Sequence, residues 1–112
     1  IEAEPTNLDL RRRGALLLAS SGADPESVES RWRSLLRDFP WDGEASQALS
    51  RLALQRGDAA TALELARRAT RLDRGPVAWT LLATVHRARG EDDLAQEALT
   101  RAGTLVPQGG RP

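Results

Sequence analysis

The sequence predicts an all-α fold of stacked helix-turn-helix repeats, and three observations carry that prediction. Apolar residues recur at spacings of three and four along most of the chain, the signature of amphipathic helices. Aromatic residues are only 4% while leucine and alanine dominate, so the core rests on small side chains that let helix axes approach to about 8 Å. The landmarks of one stretch also return earlier in the chain. From Trp79 to Pro107, Trp79, Leu82, Ala83 and His86 share one side of a first helix, Gly90 punctuates it, and Ala95, Leu99 and Ala102 form the seam of a second helix that Pro107 stops. Thirty-three residues before Gly90 stands Gly57, flanked by Leu49, Ala53, Ala62, Ala66 and Ala69 at matching offsets. An internal period of that length marks a repeat architecture, in which one hairpin cannot bury its apolar face alone and stacks on its neighbours.

Taken in order, Pro5 or Thr6 starts a first helix that runs to about Ser20. Leu10, Leu17 and Leu18 share its inward face with Gly14 and Ala15, and Arg11, Arg12 and Arg13 point mostly to water. After the turn Ser21-Gly22-Ala23, Asp24 caps a second helix with Pro25 at its first position. Val28, Trp32, Leu35, Leu36 and Phe39 trace its core stripe, and Pro40 ends it. Trp41-Asp42-Gly43 leads to a third helix with Ala45, Ala48, Leu49, Leu52 and Ala53 inward, closed by Gly57. Asp58 caps the fourth, where Ala62, Leu63, Ala66, Ala69 and Leu72 face the core and Arg67, Arg68 and Arg71 face solvent. Asp73-Arg74-Gly75-Pro76 breaks the chain before the fifth helix, and the sixth begins at Glu91-Asp92-Asp93, acidic residues that suit a helix N-terminus. The tail Gln108 to Pro112 has the composition of a flexible linker. One domain over residues 1–107 is expected, with units of about 8–40, 43–74 and 76–107.

Composition excludes several functions. Sixteen basic residues, all arginine, balance 16 acidic ones, so no long-range pull toward nucleic acid or an anionic membrane is expected, and the Arg11–Arg13 cluster is the sole support for a nucleic-acid reading. No run reaches the length of a membrane span, and Leu16–Leu18 is too short for a signal-peptide core. Cysteine is absent, which removes disulfide and thiolate chemistry and leaves the redox compartment open. A cytoplasmic setting is favoured, with a periplasmic domain of a larger protein as the alternative. Lys, Met and Tyr are missing, and Ile1 and Asn7 are the only residues of their kinds, which suggests a piece of, or a processed, protein from a GC-rich bacterial genome. His86 is the one histidine and stands in a helix-packing slot, and no glycine-rich phosphate loop or Cys/His metal spacing is present, so no catalytic residue, metal or cofactor is expected.

The three helix pairs resemble the tetratricopeptide repeat family. In the last unit Trp79, Leu82, Ala83, Gly90, Ala95, Leu99, Ala102 and Pro107 fall where that family has its landmark residues, with His86 in the usual Tyr slot. The middle unit keeps Leu49, Gly57, Ala62 and Ala69 but has Ser46, Ala53, Ala66 and Arg74 in the Trp, Tyr, aromatic and Pro slots. In the first unit Gly22, Val28, Trp32, Leu35 and Pro40 fit if its turn is one residue longer, while Arg11 and Gly14 occupy the Trp and Leu slots. The resemblance implies an α-solenoid, a right-handed superhelix of three antiparallel helix-turn-helix repeats and six helices.

It also implies where function lies, on a concave groove lined by the first helix of each pair. Carried across, the groove residues are Asp9, Arg12, Leu16 and Ala19; Glu44, Gln47, Arg51, Leu54 and Gln55; and Val77, Thr80, Thr84 and Arg87. Arg12, Arg51 and Arg87 would form an arginine ladder suited to an acidic peptide or protein segment, since guanidinium binds carboxylates bidentately. The family subset that clamps acidic chaperone tails uses positions held here by Arg12, Leu16, Ala48, Val77 and Leu81, of which only Arg12 could serve, so that role is disfavoured. The alternative is an accessory domain of a larger bacterial protein whose terminal helix, through Leu94, Ala98 or Leu105, packs on another domain or forms a homodimer.

Overall fold

The computed structural model describes residues 5–73 and 75–105. Six helices follow one another: α1 (Pro5–Ser20), α2 (Pro25–Asp38), α3 (Gly43–Gln55), α4 (Ala59–Leu72), α5 (Pro76–Ala88) and α6 (Asp92–Leu105), with no strand among the described residues. Each helix packs on the next, and α3 also touches α5, so the chain is a layered helical repeat measuring 46 × 35 × 24 Å. Pro107 and the tail from Gln108 lie outside the described residues, as does the side chain of Leu105.

The repeat is visible in the hydrogen bonding of its turns. Gly22, Gly57 and Gly90 have φ of 87°, 85° and 78°, the left-handed region where a Cβ is penalised. After each glycine the next N–H reaches back to a carbonyl five residues earlier: Ala23 to Leu18 at 3.4 Å, Asp58 to Ala53 at 2.8 Å and Glu91 to His86 at 2.8 Å. These bonds are the Schellman closure that satisfies orphan carbonyls at a helix end. Beyond the first two turns, Asp24 and Asp58 accept from the backbone N–H groups of Ser27 at 3.0 Å and Thr61 at 3.1 Å and so start α2 and α4. Helix α6 starts one residue later than the sequence predicts, because Glu91 stands outside it as a clip. Its carboxylate lies 2.8 Å from His86 Nδ1 and 3.1 Å from Arg89 Nε; an ionised carboxylate can only accept, so Nδ1 carries the proton.

The core forms two clusters. One joins Ala53, Ala62 and Ala66 to Leu81, Leu82, Ala83, Val85, Ala95 and Ala98; the other joins Ala15, Val28, Trp32, Leu35, Ala45 and Leu49. Small residues dominate the first, so α3, α4 and α5 pack closely. At the edge of this block a Cβ on Gly43 would stand 3.1 Å from Cβ of Asp73, a close approach that only glycine allows without a shift.

Several expected burial assignments are corrected. Leu10 and Leu17 are 61% and 68% exposed, whereas Ala15 alone of that expected face is fully buried. Leu72 also turns out to solvent, and Ala98, expected on an open end face, is buried under α5. Arg11 and Arg12 do not point to water. Arg11 Nη1 donates to Asp38 at 2.6 Å and its guanidinium lies 5.4 Å from the Phe39 ring centroid, while Arg12 pairs with Asp42. The physical reason is register: α1 meets α2 and the α2–α3 turn with its arginine side, where carboxylates wait.

Candidate functional site

Helices α3 and α5 lie side by side and leave a trough of about 700 Å³ between them. Arg51, Leu54 and Gln55 line it from α3; Pro76, Val77, Thr80, Leu81 and Thr84 line it from α5. The α5 residues recur at three and four, so they share one helix face. Val77 is 53% exposed there, an apolar β-branched side chain turned away from the core. The hydroxyls of Thr80 and Thr84 donate to the carbonyls of Pro76 at 2.9 Å and Thr80 at 3.1 Å, so toward the trough each offers an acceptor. Arg51 is exposed with no partner among the described residues, and so is Arg87, one turn beyond Thr84.

Six of the residues carried over from the resemblance therefore share one surface: Arg51, Leu54, Gln55, Val77, Thr80 and Thr84. Leu54 is also half-buried against the core. The others sit elsewhere. Arg12 donates through Nε to Asp42 Oδ2 at 3.2 Å, pairs with Asp42 Oδ1 through Nη2, and has Glu44 at 3.5 Å and Asp9 at 3.6 Å. The Asp42 hydrogen bond, strengthened by the surrounding carboxylates, raises the Arg12 pKa above the usual arginine value. Asp42 begins α3 but its carboxylate makes no capping bond, because Arg12 holds it. Gln47 is buried, its Nε2 donating to Asp73 Oδ2 at 2.9 Å, so it fastens α3 to the α4–α5 turn instead of facing a ligand. Leu16 and Ala19 are exposed on α1, and Glu44 lies at the Arg12 cluster.

Of the three-member arginine ladder, Arg51 alone lines the trough; Arg87 is exposed on α5 beyond its lining, and Arg12 is held by Asp42. Sequence reasoning missed Asp42 and Asp73, because nothing in a spacing pattern says which carboxylate meets an arginine 30 or a glutamine 26 residues away. It also missed Pro76 and Leu81 as trough walls; their position on the Val77, Thr80, Thr84 face carries that signal. His86 is buried and spent on Glu91. Among the described residues no group of three or more His, Cys, Asp or Glu is placed to hold a metal ion, and no helix is long and apolar enough to cross a membrane.

Six layered helices with a trough between alternate members define a helical-repeat domain of the kind that serves protein interaction. Among solved structures, the chain is similar to the globular C-terminal domain of P. aeruginosa LpoP, with a TM-score of 0.74 at 25% identity over 92% of this chain and 99% of that one. No protein-family model and no curated protein matches the sequence.

Proposed function

We propose that the chain is a non-catalytic, tetratricopeptide-type interaction domain of a bacterial protein. Its α3–α5 trough takes a peptide or protein segment, lodging an apolar side chain against Leu54, Val77 and Leu81 and pairing a carboxylate with Arg51 or Arg87. The observation that carries this reading is the coincidence, in one trough, of the exposed apolar side chain of Val77 with the unpaired guanidinium of Arg51. The lone histidine, committed to Glu91 inside the fold, supports the non-catalytic part.

Selection of random twelve-residue peptides on the wild-type chain, with no counter-selection on its variants, tests it. Enriched peptides should carry an apolar residue next to Asp or Glu and lose binding to Val77→Glu and to Arg51→Glu/Arg87→Glu. Enriched peptides that bind all three proteins equally would reject the trough.

A second reading is favoured by one observation. Leu10 and Leu17, seven residues apart on one side of α1, are 61% and 68% exposed, and Leu16, about 100° further round, is 51% exposed. The similar structure is itself a domain of a larger protein. An accessory role through a docked end helix would then use α1 more than α6, where Leu94 is 44% exposed.

A further inference from the structure

On the side of α3 away from the trough, α2 and α4 enclose a second cleft of about 760 Å³. Leu49 of α3 and Arg56, the residue that caps the end of that helix, line it seven residues apart on one side of the helix. The α3 residues of the trough are centred about 200° around the same helix, at about 100° per residue, and the two clefts share no lining residue. Six arginines line the second cleft, Arg33, Arg37, Arg56, Arg67, Arg68 and Arg71, against two glutamates, Glu29 and Glu64, leaving +4. A chain of zero formal charge has concentrated positive charge in one concave place.

Not all of that charge is free. Glu29 bridges Arg33 and Arg56 across the cleft, and Arg68 donates to the carbonyl of Pro40 at 2.8 Å. Arg37 makes only a 3.3 Å bond to Ser34 Oγ and a 4.0 Å approach to Asp38. Arg67 and Arg71, one turn apart on α4, have no side-chain partner among the described residues. Between these heads lie Leu36, Leu65 and Pro40.

We infer that the α2–α4 cleft is a second binding site, independent of the trough, for an acidic segment of a partner protein whose carboxylates pair with Arg37, Arg67 and Arg71 while an apolar side chain rests on Leu36, Leu65 and Pro40. The guanidinium fork matches a carboxylate in two parallel bonds, and the apolar floor gives such a segment surface to bury. The lining holds no aromatic ring on which a base could stack, so protein carboxylates suit it better than nucleic acid.

The probe is a fluorescein-labelled peptide repeating Glu-Glu-Leu, read by fluorescence anisotropy with the whole chain. Its glutamine counterpart and an oligothymidylate of equal charge serve as comparators. The glutamate peptide should saturate the protein and weaken as salt rises, and Arg67→Glu/Arg71→Glu should weaken it about tenfold or more. Because the trough is itself proposed to take an apolar residue beside a carboxylate, the titrations are made in a Val77→Glu/Arg51→Glu background, where saturable binding should persist; the glutamine peptide should not saturate. Both arginines are exposed, and Arg67→Gln/Arg71→Gln, which removes charge without reversing it, should show the same loss in a smaller degree. Absence of saturable binding, equal binding by the Arg67→Glu/Arg71→Glu protein, or tighter binding of oligothymidylate would overturn the assignment. Sedimentation showing an oligomer that Arg67→Glu/Arg71→Glu dissociates would overturn it too, by making a second copy of the chain the occupant. Because the trough is disabled in that background, binding that persists there reads the α2–α4 cleft alone, and failure of either site is seen separately.

Discussion

In the α5–α6 hairpin, Leu81, Leu82, Ala83 and Val85 of one helix share a buried cluster with Ala95 and Ala98 of the other, and Ala78 and Ala102 are buried as well. In the α1–α2 hairpin, Ala15 is the one fully buried residue of α1 among those described, with Leu8 and Leu18 partly buried beside it, while Leu10, Leu16 and Leu17 face outward. What α1 lacks in apolar contact it replaces with charge: Arg11 to Asp38 and Ser34, and Arg12 to Asp42. The two hairpins share a turn geometry and an outline but not a source of cohesion. Apolar seams hold the last hairpin, whereas the first is anchored by α2 and strapped by α1. Repeat stability is close to a sum of local terms, so each hairpin can be perturbed separately.

The largest effect is expected at the anchor of the first hairpin. Trp32 is 3% exposed in a cluster with Ala15, Val28, Leu35, Ala45 and Leu49. Trp32→Ala should cost about 3–5 kcal/mol in urea unfolding followed by far-UV circular dichroism, a large share of an ordinary domain's roughly 5–15 kcal/mol. Trp79 matches the repeat landmark better, yet it is only half-buried, with the Arg101 guanidinium 5.1 Å from its ring centroid. Trp79→Ala should therefore cost less than Trp32→Ala. The reverse order would show that the last hairpin, not α2, anchors the domain.

Next come the ionic straps. Arg12→Ala leaves Asp42, whose side chain is 2% exposed, without its partner; Arg12 itself is 28% exposed, so solvent softens the loss. A cost of about 1–3 kcal/mol is expected, below the roughly 3–5 kcal/mol of a fully buried broken pair. Adding Asp42→Asn should recover part of it. Amide hydrogen exchange should quicken in α1 and leave α5 and α6 unchanged. Uniform loss across the chain would mean that α1 is not a separable strap.

That contrast also explains what the sequence could reveal. Helix number, turn glycines and the seams of α5 and α6 follow from local spacing and capping chemistry, which act over a few residues. The inward face of α1 is ambiguous in the sequence because Leu10, Leu16, Leu17 and Leu18 interleave with Arg11, Arg12 and Arg13 around the helix, at about 100° per residue, and the choice depends on Asp38 and Asp42, remote in sequence. Arg51, Leu54, Gln55, Val77, Thr80 and Thr84 were recoverable as a surface because the tetratricopeptide resemblance assigns them to its groove, and the structure brings them to one trough. Arg12 and Gln47 hold groove positions of the same resemblance but meet long-range partners that it does not encode.

The middle unit supplies a smaller test with the opposite sign. Ser46 occupies the slot where the resemblance expects a Trp, is fully buried, and its hydroxyl finds no hydrogen-bond partner. Ser50, one turn on, donates to the Ala62 carbonyl at 2.8 Å and is satisfied. Ser46→Ala should raise stability by about 1 kcal/mol, whereas Ser50→Ala should lower it by about as much. Equal effects of one sign in urea unfolding would place the serines in equivalent surroundings.

Acid separates the hairpins by onset more than by size. Glu91 titrates below its ordinary 4.5, held down first by the Arg89 hydrogen bond and then by that of His86. Asp24 and Asp58 titrate below their ordinary 3.8, held down by hydrogen bonds from Ser27 and from Thr61 respectively. Each group binds its proton more weakly when folded, so its stabilisation is complete above the unfolded value and drains away as pH falls through the folded one. Melting followed by circular dichroism should decline as pH falls below about 4.5. The Glu91→Gln and wild-type curves should begin to converge at a higher pH than the Asp24→Asn and wild-type curves, because the Glu91 clip starts to take up its proton first. If the two variants converge with wild type at the same pH, the clip on the last hairpin is no stronger a determinant of acid behaviour than an ordinary helix cap.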